Sequence, residues 1–284
     1  MKTKNEQTKT ILSCKDHSVS GEVFELIYDN KYDMLVTTPQ PKIEELPTYY
    51  QSEDYISHTD ARRNWFEKVY QFVKYFNLKK KVKLINSELK LKGNLLDIGA
   101  GTGDFLNTAR KSNWNIFGAE PDNKARALAK EKRVDLLDNT SSLENHFFDV
   151  ITMWHVLEHV PDLKKQIKEL KRLLKPGGKI FIAVPNYKSF DAKIYGAFWA
   201  AYDVPRHLWH FSKQSINLLM EEENLNVEKI RPMQFDSYYV SLLSEKYKTG
   251  NKNIFRAFYN GFRSNLKAKQ TKEHSSIIYV IKNS

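Results

Sequence analysis

Short apolar runs alternate with helix-like stretches between residues 94 and 186. The runs NLLDIG, NIFGAEP, FFDVITMW and GGKIFIAVPN have strand character, and DFLNTARK, NKARALAKEK and DLKKQIKELKRLLK between them have helical character. Such alternation is typical of a parallel sheet whose crossover helices cover both faces. The segment is therefore predicted to form an α/β domain of the doubly wound kind.

The first of these runs leads into a glycine-rich turn at residues 95–106, LLDIGAGTGDFL. Gly99, Gly101 and Gly103 allow positive φ and let the backbone approach a ligand where a Cβ atom would collide. A helix begins near Asp104. Alone, this pattern is a weak signal, because similar turns bind NAD or FAD or simply form a tight corner.

An acidic residue at the end of the second run narrows the choice of ligand. Glu120 stands where a carboxylate accepts hydrogen bonds from the ribose hydroxyls of an adenosine cofactor. Asp97 and Asp104 flank the glycine turn and would repel a pyrophosphate at the helix N-terminus. An acid-lined turn favours a cationic cofactor without phosphate, and S-adenosylmethionine carries a sulfonium and an ammonium group.

Four motifs in this order, LLDIGAGTGDFL, GAEPD, FDVITMWHVLEHVPD and LKPGGKIFIAVPN, resemble those of class I S-adenosylmethionine-dependent methyltransferases. The resemblance is close over residues 94–186 and looser towards the C-terminus. It implies a Rossmann-like, doubly wound sheet of seven strands whose last strand, SSIIYVIK, is antiparallel. It also implies that S-adenosylmethionine is the cofactor and S-adenosylhomocysteine the product.

The resemblance assigns cofactor contacts residue by residue. The glycine turn would lie under the methionine and ribose portions, Asp97 near the ammonium group, Glu120 at the ribose, and Asp138, after the poorly defined third strand RVDLL, near the adenine. The end of the fourth strand would border the reacting methyl group. The complete set of predicted cofactor-binding residues is Asp97, Gly99, Ala100, Gly101, Gly103, Phe105, Glu120, Pro121, Asp138, Met153, Trp154 and His155.

Residues 186–211 are an insertion after the fifth strand, and its last part, YDVPRHLWHF, holds two histidines, an arginine and several aromatic rings. Loops at the carboxyl ends of parallel strands form the active site in this architecture. We therefore predict that this cap lies over the methyl donor. His207 and His210, together with His155, are the candidate catalytic bases, because histidine accepts protons near neutral pH.

The same cap supplies most of the predicted acceptor site. Arg206 would hold an anionic acceptor, and Tyr202 and Trp209 would form apolar walls. The alternative is structural: the histidines would be satisfied hydrogen-bonding residues, and Arg206 would pair with Asp203 to hold the loop.

Residues 1–58 are predicted to form a small β-rich extension ahead of the methyltransferase domain at residues 59–284. The extension resembles the zinc module of certain sugar methyltransferases, including a tyrosine-rich segment that would place Tyr50 and Tyr55 over the acceptor. The paired cysteines of that module are absent, since Cys14 is the chain's one cysteine. We therefore expect no zinc in this segment, and no metal site elsewhere.

Charge and composition leave the acceptor class open. The formal net charge is +11, yet neither an RNA-binding module nor a base-methylation motif is recognisable, so we expect no nucleic-acid partner. One cysteine and the absence of an apolar leader or membrane span predict a cytoplasmic protein. Residues 253–269 have apolar side chains at helical spacing among basic ones. The alternatives there are weak membrane-surface contact or packing on the sheet.

The prediction that follows is methyl transfer to a small or carrier-linked acceptor, such as a sugar, lipid or quinone-like metabolite, with O-methylation favoured. RNA methylation and a non-catalytic cofactor-binding scaffold are the alternatives.

Overall fold

The computed structural model describes residues 10–50, 65–89 and 91–283, and for residues 65–72 it describes the backbone alone. The strands are β1 (Thr10–Lys15), β2 (Val23–Asp29), β3 (Met34–Thr38), β4 (Asn94–Ile98), β5 (Asn115–Ala119), β6 (Phe148–Trp154), β7 (Leu174–Pro185), β8 (Trp209–His210), β9 (Leu225–Pro232) and β10 (Ser276–Asn283). The α-helices are α1 (Trp65–Glu88), α2 (Asp104–Arg110), α3 (Asn123–Glu131), α4 (Leu163–Leu173), α5 (Phe190–Tyr195), α6 (Lys213–Glu221), α7 (Asp236–Thr249) and α8 (Ile254–Thr271).

The large sheet has the order β5-β4-β6-β7-β10-β9. Strands β5, β4, β6 and β7 are parallel, and β10 runs antiparallel to both β7 and β9. This confirms the predicted α/β class and the antiparallel last strand. The sheet is buried on both faces because helices cover it, so its central strands read as continuous apolar runs.

The number of strands differs from the prediction. The described part of the large sheet has six strands, because the predicted third strand RVDLL makes a single bridge, between Leu137 and Ala119. Hydrogen bonds join Leu137 N to Gly118 O and Glu120 N to Leu137 O. Arg133, the first residue of this segment, has a φ of 59°, so the chain turns there and leaves too few extended residues for a ladder.

A second, antiparallel sheet has the order β1-β2-β3-β8. It confirms the expected β-rich N-terminal hairpins. Its fourth strand comes from the cap, where Leu35 pairs with His210 and Val36 with Trp209. The N-terminal strands and the cap therefore form one sheet.

A small core lies between this sheet and the cap. Phe24, Leu26 and Trp199 are buried there, and Cys14 is 1% exposed. Burial raises the pKa of the Cys14 thiol to about 12, and nearby Glu25 adds to the effect. The thiol is therefore protonated at neutral pH, whereas a metal ligand must be a thiolate.

Helix α1 packs on the large sheet through residues near its C-terminal end. Val82 is 3% exposed and Ile85 is fully buried, while Phe76, nearer the middle of the helix, is 44% exposed.

Helix α8 packs in the opposite sense to the one expected for a helix covering the sheet. Its buried side consists of small and polar residues, namely Ala257, Asn260, Gly261, Ser264 and Ala268. Its large apolar side chains, Ile254, Phe255, Phe258, Tyr259, Phe262 and Leu266, are all exposed. Within the described residues, none of the helices has the length and apolar content needed to cross a membrane.

Candidate active site

The glycine turn joins β4 to α2. Gly99, Gly101 and Gly103 have φ values of 70°, 52° and 73°, which disfavour any side chain. A Cβ atom on Gly99 would lie 2.4 Å from a methyl group of Val156, whereas one on Gly101 would meet nothing within 4 Å. The turn is therefore packed against Val156 at Gly99 and open at Gly101, where a ligand has room to approach the backbone.

Glu120 reaches this open part of the turn from the end of β5. Its Oε2 accepts a hydrogen bond from Gly101 N at 2.9 Å, and its Oε1 accepts one from Asp122 N at 2.9 Å. Pro121 follows directly, and Asp138 is exposed one residue after the Leu137 bridge. The geometry brings these predicted cofactor residues to the same edge of the sheet, and their individual roles stay predictions.

The buried carboxylate of Asp97 lies beside the turn, where the partly buried Lys81 influences it electrostatically. Asp97 is 3% exposed, and Thr152 Oγ1 donates to its Oδ1 at 2.6 Å. Burial raises the pKa of Asp97 to about 7, although the Thr152 hydrogen bond and the Lys81 charge act against it. Burial lowers the pKa of Lys81, while Asp236 and Asp97 favour its charged form. Lys81 was not recognisable from the sequence, because α1 carries many lysines and nothing local distinguishes this one.

Trp154, at the end of β6, is held between two elements. Its ring packs edge-on against Phe105 with 5.4 Å between centroids, and Lys81 Nζ lies 4.5 Å from its centroid. Its Nε1 is buried without a hydrogen-bond partner among the described residues. Because a buried donor without a partner costs free energy, this N–H is a candidate contact for a bound molecule.

His155 follows with a φ of 58°. Its Nε2 lies 2.9 Å from Asp236 Oδ2, and its Nδ1 lies 3.3 Å from Glu158 Oε1. Burial alone would lower the pKa of His155, but the hydrogen bonds to the two carboxylates raise it to about 9. In this arrangement His155 holds its proton at neutral pH, which argues against its predicted role as a base. Asp236 was not identified from the sequence.

Glu158 and His159, in the 3₁₀ turn Leu157–His159, meet His207 of the cap. The rings of His159 and His207 are perpendicular, with 4.6 Å between centroids. Leu208 N donates to Glu158 O at 2.8 Å and ties the cap to this turn. These residues come from two motifs about 50 positions apart in the sequence, and the fold brings them together.

The other polar residues of YDVPRHLWHF are engaged with the N-terminal sheet. Arg206 Nη2 lies 2.8 Å from both Asp16 Oδ1 and Asp203 Oδ1, and its Nη1 donates to Tyr49 O at 2.9 Å. His210 is 4% exposed and its Nε2 lies 2.9 Å from Thr37 Oγ1. These contacts favour the structural alternative for Arg206 and His210.

The residues predicted to contact the acceptor fall into two groups: Tyr202 and Trp209 are engaged in contacts within the protein, and Tyr50 lies at the histidine cluster. Tyr202 is buried between Trp199 and His210, and Trp209 Nε1 donates to Val160 O at 2.7 Å. Tyr50 reaches the histidine cluster, where its hydroxyl lies 3.0 Å from His159 Nδ1. Tyr55 lies outside the described residues.

Comparison with known proteins gives three kinds of match. Residues 55–230 match a family model described as a methyltransferase domain. The chain is 30% identical over 176 residues, 55% of its length, to a ubiquinone biosynthesis O-methyltransferase of Actinobacillus pleuropneumoniae, of which it covers 74%. It is 34% identical over 125 residues, 40% of its length, to the protein of the same name from Sodalis glossinidius, of which it covers 50%.

Solved structures show the same fold. The geranyl diphosphate C-methyltransferase of Streptomyces coelicolor aligns with a TM-score of 0.55 and 16% identity, over 79% of this chain and 86% of that one. A methyltransferase of Archaeoglobus fulgidus aligns with a TM-score of 0.51 and 15% identity, over 78% of this chain and the whole of that one.

Proposed function

Because the chain belongs to the family of S-adenosylmethionine-dependent methyltransferases, we propose that it methylates a hydroxyl oxygen of a small, quinone-like acceptor. The observation that carries this proposal is the open glycine turn with the Glu120 carboxylate on Gly101. The oxygen acceptor is supported by the names of the two relatives, both ubiquinone biosynthesis O-methyltransferases.

The residues of the turn fit S-adenosylmethionine. The carboxylate of Glu120 would accept hydrogen bonds from ribose hydroxyls in place of Gly101 N and Asp122 N. Asp97 and Lys81 would face the ammonium and carboxylate groups of the methionine portion, so that each charge has a partner. Bound S-adenosylmethionine supplies a methyl group on a sulfonium, an already activated electrophile.

The protein then has two tasks, positioning and proton removal. Holding the acceptor in line with the methyl group and excluding water turns a bimolecular step into an effectively unimolecular one. The acceptor oxygen bonds to the methyl carbon while the carbon–sulfur bond breaks and its electron pair stays on sulfur. The hydroxyl proton must leave, and the Glu158–His159–His207 cluster offers a carboxylate and two imidazoles to receive it.

The test is a turnover assay that measures S-adenosylhomocysteine with ortho-dihydroxybenzene and hydroxyquinone acceptors, and with bulk RNA as the competing substrate. We expect an O-methyl ether, identified by mass spectrometry of the product. Methyl groups found in RNA, or on nitrogen or carbon of the acceptor, would contradict the oxygen assignment. Tight cofactor binding without turnover on any of these acceptors would favour the scaffold alternative.

A further inference from the structure

Glu158, His159 and His207 converge although they come from separate motifs. One potential ligand atom from each lies within 4.8 Å of the others. Glu158 is fully buried and His207 is 8% exposed. Two imidazoles and a carboxylate at this spacing and depth are a donor set as well as a possible proton acceptor.

Each imidazole has a backbone carbonyl oxygen at Nδ1. Nδ1 of His159 lies 3.0 Å from Arg206 O and 3.0 Å from the Tyr50 hydroxyl, and Nδ1 of His207 lies 2.9 Å from Ala201 O. A carbonyl oxygen can only accept, so a proton on Nδ1 satisfies both carbonyl contacts and leaves a lone pair on Nε2, which in His207 lies 4.0 Å from Asp203 Oδ2. A backbone carbonyl on the distal nitrogen is also the usual partner that orients a metal-binding histidine.

The carboxylate has one oxygen committed and one available. Glu158 Oε1 lies 3.3 Å from His155 Nδ1, while Oε2 is buried with no hydrogen-bond partner among the described residues. An unpaired buried carboxylate oxygen is expensive. A cation beside the two Nε2 atoms would satisfy it.

We propose that Glu158, His159 and His207 bind one divalent transition-metal ion of the zinc and iron class. Two imidazole nitrogens and one carboxylate oxygen are the protein ligands of open zinc and non-haem iron sites. Ligand atoms about 2.1 Å from a tetrahedral ion lie about 3.4 Å apart, so the three side chains must move inward slightly. A position stays open for water or an acceptor oxygen. That last role rests on the proposed function, since a metal-bound hydroxyl loses its proton more readily.

The test is zinc binding to the full chain after treatment with a chelator and dialysis, measured by calorimetry and by metal content. We expect about one Zn²⁺ per chain, bound at least about tenfold more weakly in both Glu158→Gln and His207→Ala. Cys14→Ser is the matched control for zinc at the N-terminal segment and should bind as the wild type does. Glu158→Gln keeps the side-chain volume, and circular dichroism checks that each variant is folded.

Two results would overturn the metal site: no stoichiometric binding by the wild type, or binding that survives both substitutions in folded protein. Co²⁺ added in place of Zn²⁺ provides a test that needs no variant, because its visible absorption spectrum reports whether the protein binds the ion with a low coordination number. Turnover without metal binding would contradict this inference alone. Metal binding without turnover would contradict the proposed function alone.

A second, independent observation concerns the outer side of α8. Six large apolar side chains lie exposed along this helix, with Phe255 91% exposed. Arg263, Lys267 and Lys269 are also exposed on it, and its sequence contains no acidic residue. Arg263 lies 5.4 Å over the ring of Tyr259. An exposed apolar stripe flanked by cations matches the chemistry of an anionic lipid surface.

We infer that the outer side of α8 binds the surface of an anionic phospholipid bilayer. The helix packs through Ala257, Gly261 and Ala268, and within the stripe Phe258 also stacks on Tyr238 of α7, with 5.0 Å between ring centroids. Membrane binding would bring the protein to an acceptor that is dissolved in the bilayer. This consequence rests on the proposed function.

Sedimentation with vesicles tests the lipid surface. We expect binding to phosphatidylcholine vesicles that contain about 30% phosphatidylglycerol, weakened by salt. Phe255→Ser with Phe262→Ser should reduce the partition coefficient at least about tenfold. Leu91→Ser, at an 83% exposed apolar residue elsewhere, is the matched control and should have no effect. Absence of vesicle binding, or equal binding by the double variant, would overturn the inference. A concentration-dependent dimer that the double variant abolishes would also overturn it, because the stripe would then bind a second copy of the chain.

Discussion

Asp16→Ala tests the contact between the N-terminal sheet and the cap. The Asp16 carboxylate is fully buried and pairs with Arg206, whose side chain is 3% exposed. Asp16 also accepts hydrogen bonds from Ser18 N, Val19 N and Ser20 N. Its removal leaves a buried guanidinium with Asp203 as the remaining carboxylate, and it frees three backbone donors. Breaking a buried ion pair from one side costs about 3–5 kcal/mol, so we expect a loss of that size.

The measurement is the free energy of unfolding from urea titration, followed by tryptophan fluorescence. Glu44→Ala is the control, because Glu44 is exposed in the same N-terminal region and such substitutions change stability by about 0.5 kcal/mol or less. A loss below about 1 kcal/mol for Asp16→Ala, or a loss equal to that of the control, would refute the reasoning. Combining it with Arg206→Leu should cost less than the sum of the single changes, since the double variant no longer leaves the Arg206 guanidinium buried without Asp16; Asp203 loses its Arg206 partner in Arg206→Leu and in the double variant alike.

The pH dependence of stability gives the same contact a second test. Burial alone would raise the pKa of Asp16, but the hydrogen bond from Arg206 and those from the backbone lower it to about 2, from 3.8. A depressed pKa means that the contribution is present above pH 3.8 and is lost as the pH falls towards 2. The shift corresponds to about 2 kcal/mol. Asp16→Ala should therefore flatten the acid limb of the stability profile.

Three further predictions concern the site. Glu120→Ala should weaken S-adenosylmethionine binding at least about tenfold in calorimetry, since each charge-assisted bond contributes about 1.5–3 kcal/mol, while exposed Glu144→Ala should not; equal affinities would exclude the ribose role. Cofactor affinity should rise between pH 6 and 8, because the pKa of Asp97 is about 7 and its ionised form attracts the ammonium group. Asp97→Asn should remove this pH dependence, and a flat wild-type profile would contradict the role of Asp97. His207→Ala should lower kcat per folded molecule by about 10²-fold or more, whereas His210→Ala, beside Thr37, should lower the Tm and leave kcat within about threefold; the reverse pattern would interchange their roles.

The parts of the fold that the sequence predicted correctly depend on local patterns. Strand runs, helix caps and glycine positions express preferences within a few residues, so β4, the turn after it and α2 were recognisable. The third strand was not, because a single bridge at Leu137 leaves little pattern to read. The two alternatives for α8 stayed open because periodicity identifies an apolar face but does not tell which side of the helix is covered.

Contacts between distant segments could not be predicted from the sequence, for a different reason. Asp16 and Arg206 are unremarkable alone, and only the sheet formed by β3 and β8 brings them together. Lys81 and Asp236 enter the site from helices whose sequences look like ordinary solvated surface. The histidines of the cap were recognisable from the sequence, yet the placement of His207 in a cluster and of His210 against Thr37 depends on which groups face each ring in the fold.

The pairing of β3 with β8 links the N-terminal strands to the cap. Thr37 N donates to Leu208 O, and Thr37 Oγ1 donates to His207 O at 2.6 Å. Two regions far apart in the chain therefore form one sheet, and we expect them to vary together. When relatives diverge in their choice of acceptor, substitutions in the cap should be accompanied by substitutions in β3, and a cap grafted from a relative should function only when its own β3 is transplanted with it.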